Sequence, residues 1–307
     1  MADFETVRAA AQDLVLSKLS LAILFAKSSS PAISTVEDPA TGDLVDLPDY
    51  RSAGILQKDA GLSITSNIDS SDIEGYGEVE PVRTIITKRT TAFNASFIET
   101  NREVIEKFWG IELDSTNLTV SSHGGVTVKA PVRPKNIFYR CILLGQDEVN
   151  GEDLYPYWIL PKVKLTDVDS VDAKDDDAIQ YRMTFQAFRD PEVGFSVLQG
   201  WCGKGWQLLV DKTGFVAPPT AIAVTPDPIT VTVTAGSTHT SQLTVLASNG
   251  INRTPVATYT SADPTTATVS STGLVTAVAV GSTTVNVSYD PPTGVPLTDS
   301  VAVTVTA

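Results

Sequence analysis

The chain has 307 residues, 42% of them hydrophobic, with 36 acidic against 22 basic side chains and a formal net charge of −14. That much apolar material suffices for two folded domains and excludes wholesale disorder. The acid excess excludes a protein that grips nucleic acid by its phosphates, because such binding needs Lys and Arg to displace counterions. Two cysteines, Cys141 and Cys202, and two histidines, His123 and His239, are too few and too scattered for a disulfide framework, a zinc site or a Cys–His nucleophile pair. Two thiols in a reducing compartment are the simpler reading, and no metal and no cofactor is expected.

In chain order, Phe4, Val7, Ala10 and Ala11 recur at helical spacing and predict a short N-terminal helix over residues 2–13. The apolar run at 14–26 is too short to span a bilayer and is interrupted by Lys18. Asp3, Glu5 and Asp13 ahead of it are wrong for the basic start of a signal peptide, so a protein made in the cytoplasm and not inserted in a membrane is expected. Residues 19–26 read as a buried strand. Residues 33–49, rich in Asp, Pro and Gly, read as a loop, either a disordered lid or a binding arm.

Residues 50–56 and 62–68 predict two strands joined by a hairpin turn ending at Gly61. An acidic loop follows at 69–80, with Asp69, Asp72, Glu74, Glu78 and Glu80 punctuated by Gly75 and Gly77; it is read as solvated, with an inter-subunit contact as the sharper alternative. Residues 82–98 form the longest strand-like run. Thr91, Phe93, Ala95 and Phe97 fall on one face and Ala92, Asn94, Ser96 and Ile98 on the other, which describes a sheet packed on one side and wet on the other. Thr100 is placed to cap a helix, with Glu103 completing a capping box, Val104, Ile105, Phe108 and Trp109 as its apolar stripe and Gly110 as its stop. One short helix on a mainly β body is the economical picture.

Further strands are expected at 127–134 (an edge, given its prolines), 135–144, 155–165 and 178–188. The second acidic loop, 167–177, fails as a calcium loop. Counting from Asp167, positions six and twelve are Asp172 and Ala178 where Gly and Glu are needed, and counting from Asp169 puts Lys174 at position six. GWCGKG at 200–205 lacks the spacing of a phosphate loop, and neither G-x-S-x-G nor H-E-x-x-H occurs. No catalytic residue is assigned and an enzyme is not expected.

Composition changes at 215–219. From residue 220 onward there is no lysine and one arginine, Arg253, while Thr and Val dominate in short alternating runs. This divides the chain into a body (1–215), a Pro-rich linker (216–219) and a small β-sandwich (220–307). Ala267-Thr268-Val269-Ser270, Gly273-Leu274-Val275-Thr276-Ala277 and Gly281-Ser282-Thr283 resemble the characteristic run of the bacterial Ig-like group 2 domains, with Tyr259 where that family usually has tryptophan. Val269, Leu274, Val275, Val285 and Val287 can face its core, with Gly273 and Gly281 at turns. Domains of this kind occur on bacterial adhesins and on phage structural proteins, so the module alone does not fix a function.

In the body, ILQKDAGLSI at 55–64, Asp72-Ile73-Glu74, Glu80-Pro81-Val82-Arg83-Thr84, Glu99, Asn101-Arg102-Glu103 and Trp109-Gly110 resemble the tail tube (major tail) proteins of long-tailed, non-contractile phages. Ala60 between Asp59 and Gly61 is a departure from that family's D-G hairpin. The resemblance implies a tail-tube-type β-sandwich or barrel subunit with one flanking helix. Six copies would form a ring, and rings would stack into the virion's tube for DNA ejection. It further implies tape-measure, tail-tip and terminator proteins as partners, DNA passing without specific binding, and an Ig-like domain on the outside making weak contact with a bacterial surface. On this reading Ala92, Asn94 and Ser96 face the lumen, and Asp69, Asp72, Glu74, Glu78 and Glu80 form an inter-subunit loop. The alternatives are a bacterial surface or adhesin protein and an enzyme carrying an Ig-like module.

Overall fold

A computed structural model of the chain describes all residues except 1–7, 9, 18–19, 134, 172–177, 234–238 and 292–294. The fold is mainly β, and the chain divides into two compact units. One comprises Lys18–Asp147 with Tyr155–Trp201; the other comprises Met1–Ser17, Glu148–Leu154 and Cys202–Ala307. The helix expected over 2–13 falls largely outside the described residues; Gln12–Leu14 is a 3₁₀ turn.

The first unit is built on β1 (Ser20–Lys27), β2 (Arg51–Ser52), β3 (Leu62–Ile73), β4 (Arg83–Phe97), β5 (Leu118–Val120), β6 (Val126–Val128), β7 (Tyr139–Val149), β8 (Glu152–Val168), β9 (Tyr181–Ala187) and β10 (Leu198–Cys202). Eight of these make one sheet in the order β2-β1-β7-β8-β9-β4-β3, with β10 also on β8, and β5 and β6 pair with each other as a separate two-stranded sheet among the described residues. The sheet is open and does not close into a barrel. Its core is where alternation placed it: Phe93, Ala95 and Phe97 of β4 pack with Ile23, Phe25, Cys141, Leu143, Val163, Met183 and Phe185. The Phe93 and Phe185 rings stack 5.0 Å apart. Cys141 and Cys202 are both free and buried.

Helix α1 (Arg102–Trp109) covers part of this core through Val104 and Phe108, and ends at Gly110 in the left-handed region (φ 57°), a conformation that glycine adopts without steric cost. Its cap is Asn101, not Thr100. The Asn101 carboxamide oxygen accepts from Val104 N at 2.9 Å, while Glu103 pairs with Lys107 instead of reaching back. The expected apolar stripe is also corrected. Trp109 is 46% exposed, and Lys107 takes the buried position, its ammonium over the rings of Tyr139 and Phe25. A lysine is tolerated there because Glu103 bonds it at 2.5 Å and two aromatic faces receive its charge.

Two further expectations change, and one element is new. Residues 50–56 do not form a hairpin with 62–68: β2 is two residues long and joins β1, and Leu56 bridges Phe97. Residues 33–49 are not a disordered lid. The loop is a tight turn in which Glu37 bridges Leu44, Asp38 N donates to Asp43 O, and Val36 is fully buried. A second α-helix, α2 (Lys204–Leu209), continued by a 3₁₀ turn at Val210–Lys212, follows β10 in a stretch for which the sequence predicts no element.

In the second unit the Ig-like strands are β11 (Ile222–Thr225), β12 (Ile229–Thr232), β13 (Thr240–Gln242), β14 (Thr244–Ala247), β15 (Thr258–Ser261), β16 (Ala267–Val269), β17 (Leu274–Ala277), β18 (Gly281–Tyr289) and β19 (Leu297–Thr306). They form sheets β12-β19-β18-β15, β13-β17-β16 and β11-β14, around Leu243, Val245, Val275, Val285, Val287, Val301 and Val303. Of the expected core residues, Leu274 is only half-buried and lies off this cluster. Gly273 does turn (φ 79°), and a Cβ there would press on the Tyr259 ring at 3.0 Å. Gly281 opens β18, where it leaves room for Thr266.

Candidate assembly surfaces

The β3–β4 hairpin is the longest ribbon of the first unit, and its two halves have different surroundings. Leu62 to Thr65 pair with Ala95 to Ala92 beside the core, whereas from Ser66 outward β3 is exposed, as is β4 from Arg83 to Arg89. Asp69 and Asp72, expected in a loop, lie in β3; Asp72 accepts from Thr84 Oγ1 at 2.6 Å. Glu74, Glu78 and Glu80 occupy the tip, closed by Val82 N donating to Ile73 O and by Gly77 at φ 86°. All five carboxylates are exposed. So are Tyr76 and Val79, completely, with Ile86 66% exposed. Ile85 faces Ser71 and Ile86 faces Ser70 in the register, so consecutive isoleucines point to opposite faces and the ribbon is bare on both. Acid and apolar residues alternate at this tip (EGYGEVE), a pattern that marks neither a core strand nor a simple solvated loop.

The second face of β4 differs along its length. Asn94 is exposed, Ala92 is half-buried, and Ser96 is 2% exposed, its hydroxyl donating to Gln180 Oε1 at 3.3 Å. The register places Ser63, Thr65, Thr184, Gln186 and Arg182 beside these three, with Lys164 opposite Gln186 and Asp167 opposite Thr184. This face is polar, with short side chains at its centre, the longer Gln186, Arg182 and Lys164 beside them, and Asp167 as the single acid among these neighbours.

A second ribbon, β5–β6, is a two-stranded sheet of its own. Leu118, Val120, Val126 and Val128 share one face and Thr119 and Thr127 the other. Val120 and Val126 lie directly opposite each other and are 61% and 63% exposed; Val132, beyond the ribbon, is fully exposed. No acidic residue occurs from 115 to 146, whereas Lys129, Arg133 and Lys135 follow the ribbon, all exposed. The nearest carboxylate in sequence, Asp114, is committed to its own turn. Hydrogen bonds from the Thr116 hydroxyl and amide, with Lys135 nearby, hold its carboxyl below the usual range. The edge strand expected at 127–134 is β6 in part, shortened to Val126–Val128, whereas β5 has no counterpart among the expected strands because a three-residue strand shows no periodicity.

Buried charge fixes the remaining loops. In the first unit Arg140, 3% exposed, binds Asp190 Oδ2 at 3.1 Å, Glu192 Oε2 at 2.8 Å and Ser30 O at 2.6 Å. In the second unit Arg253, fully buried, donates to Asp211 Oδ1 and Gln207 O, both at 2.5 Å, while Tyr289 donates to Asp211 Oδ2 at 2.7 Å. Asn249 adds bonds to Asp211 and to Ala217 O. Burial, then the bond to Asp211, pushes the Tyr289 hydroxyl's pKa up. The lone arginine of the C-terminal region thus ties the Ig-like sandwich to the residues just before it. Among the described residues no cluster of His, Cys, Asp or Glu has the geometry of a metal site, and no helix is long and apolar enough to cross a membrane.

Residues 218–291 match the family model of the bacterial Ig-like domain (group 2), so the C-terminal module is an Ig-like domain of that group. No curated protein matches the chain. Among solved structures, a chain of the anti-feeding prophage baseplate is similar at 10% identity and a TM-score of 0.32, covering 59% of this chain and 91% of that one. Domains 4 and 5 of the S-layer protein SbsC are similar at 16% identity and a TM-score of 0.23, covering 81% and 100%. Scores this low carry no weight for fold or function.

Proposed function

We propose that the chain is a non-catalytic virion protein that self-assembles into stacked rings, forming the tail tube of a long-tailed, non-contractile phage. The Ig-like domain decorates the outside. The observation that carries this reading is an open sheet ending in a free β3 edge, prolonged by a ribbon that is bare on both faces. An unpaired edge of that length is a template for another chain, and a two-stranded ribbon with isoleucines on both sides gains stability only when something covers it. A neighbouring copy supplies both. Head-to-tail pairing of the β3 edge with the β1–β2 edge of the next subunit would close a ring, as heterologous contacts do when their rotation closes.

In such a ring the face bearing Ala92 and Asn94 would be the wall presented to DNA. Short polar groups hold no phosphate firmly, and Lys164 and Arg182 are too few for tight backbone binding. The reading assigns six copies per ring and partners at the tube ends and inside it, in line with the resemblance of residues 49–113. A bacterial surface protein is the competing reading, since the Ig-like module fits it as well.

Negative-stain electron microscopy of the purified full chain separates the two. Rings or tubes are expected. A particle that stays monomeric at the highest attainable concentration, with and without a seeding tail-tip complex, overturns the tube reading and favours the surface protein.

A further inference from the structure

We propose that the acidic tip of the β3–β4 ribbon of one copy docks on the apolar face of the β5–β6 ribbon of another, a contact that rests on the self-assembly reading and gives it a specific address. The two surfaces are complementary in two independent respects. The tip offers Tyr76 and Val79, both completely exposed, and the receiving ribbon offers the opposed pair Val120 and Val126, each more than half exposed, with Val132 beside them in sequence. Along the chain around the apolar groups the charges are opposite, although Glu112 and Asp114 line the same cleft as Lys129 and Lys135. Between Asp59 and Arg83 the chain has no basic residue, and the tip carries Glu74, Glu78 and Glu80; between Asp114 and Asp147 it has no acidic one, and the β5–β6 flank carries Lys129, Arg133 and Lys135.

Segregation of this kind is unusual in a chain of net charge −14, where a basic stretch of more than thirty residues runs against the overall composition. Neither surface has an internal reason for its apolar groups. β5–β6 is a two-stranded sheet with no described residue covering Val120 and Val126, and the tip lies beyond the point where β3 and β4 leave the core. The apolar groups supply contact area, while the charges set orientation and reject a tip-to-tip or ribbon-to-ribbon encounter by like-charge repulsion. Because a copy carries one tip and one ribbon in different places, the contact is heterologous and propagates, as stacking requires.

Charge reversal tests it on the full chain. The triple variant Glu74→Lys, Glu78→Lys, Glu80→Lys and the triple variant Lys129→Glu, Arg133→Glu, Lys135→Glu should each weaken association in sedimentation velocity by about tenfold or more. The six-fold variant combining both should recover it. All six positions are exposed, so melting temperatures should stay within a few degrees of the parent. As a second measurement, a mixture of Val79→Cys and Val126→Cys chains should form an intermolecular disulfide under mild oxidation that neither gives alone; the native thiols are buried.

Assemblies that form normally in both triple variants, or loss without recovery in the six-fold variant, overturn this contact and leave self-assembly standing. A parent chain that never associates overturns both. Salt-sensitive binding of DNA to the parent that is abolished by the Lys129, Arg133, Lys135 reversal, with association unchanged, assigns the basic ribbon to nucleic acid and overturns the contact as well.

Discussion

The inner and outer halves of the β3–β4 ribbon are made by the same two strands in the same ladder, yet they obey different rules. In the inner half, Phe93 is 1% exposed and Phe97 fully buried. In the outer half, Ile86 is 66% exposed and no residue from Arg83 to Arg89 is buried. The β3–β4 ladder runs through both halves with one register shift at Asp69/Ser70, but in the inner half β4 also pairs with β9 on its other edge. The second layer differs too: α1 and the remaining sheet strands cover the inner half, and none of the described residues covers the outer. A ladder alone contributes little net stability, because its bonds replace bonds to water. The outer half is therefore held chiefly by its attachment to the inner one, and its isoleucines are available for a neighbour.

The largest effect should come from the inner half. Phe93→Ala removes a ring stacked on Phe185 in a filled core and should cost about 3–5 kcal/mol, read by chemical denaturation, whereas Ile86→Ala should stay within about 0.5 kcal/mol in the monomer. Equal costs at the two positions would mean that the outer half is packed in the isolated chain, and the contrast would fail.

The same contrast explains what could be read from the residues alone. Strict alternation at 91–97 located the core strand, and the Val-rich alternating runs after residue 220 located the Ig-like sandwich, because burial of one face forces a period of two. Where one face is not buried, nothing enforces the period. Asp69, Ser70, Ser71 and Asp72 show no alternation and so carry the signature of a loop, yet residues 69–73 are strand. Asn150-Gly151, both at positive φ, joins β7 to β8 and carries the turn chemistry of a two-residue hairpin, so that connection was legible from its dipeptide. Lys107, Arg140 and Arg253 were not legible as interior residues. Charged side chains are buried only when partners from distant positions converge on them, and 50 residues separate Arg140 from Asp190. The β5 half of the β5–β6 ribbon escaped for the opposite reason, a strand of three residues being shorter than any period it could display, and β6 is shorter than the span expected for it.

A middle-sized effect tests how firmly the cover over the inner half is held. Asn101→Ala deletes the bond to Val104 N that starts α1, together with the carboxamide's bonds to Ala53 O and Glu99. A loss of about 1–2 kcal/mol is expected. Thr100→Ala should change stability by less than half of that, because its hydroxyl touches only the Tyr181 hydroxyl, at 3.3 Å on the surface. The reverse order would restore Thr100 as the cap.

The smallest effect in free energy is the most direct on mechanism. Amide hydrogen exchange in the monomer should divide the ribbon near Thr90. Amides of β4 from Thr91 to Phe97 should exchange only with global unfolding, and those of Thr84 to Lys88 should exchange faster by orders of magnitude, through local opening of an uncovered ladder. In assemblies the outer amides should slow toward the inner ones, because a neighbour then supplies the missing layer. Protection already equal in the monomer would remove the need for a partner. Outer amides that stay fast in assembled rings would place the neighbour elsewhere. Slowing confined to assemblies, with the inner half unchanged, would show that the ribbon completes its folding on a second copy, with the inner half as the anchor that presents it.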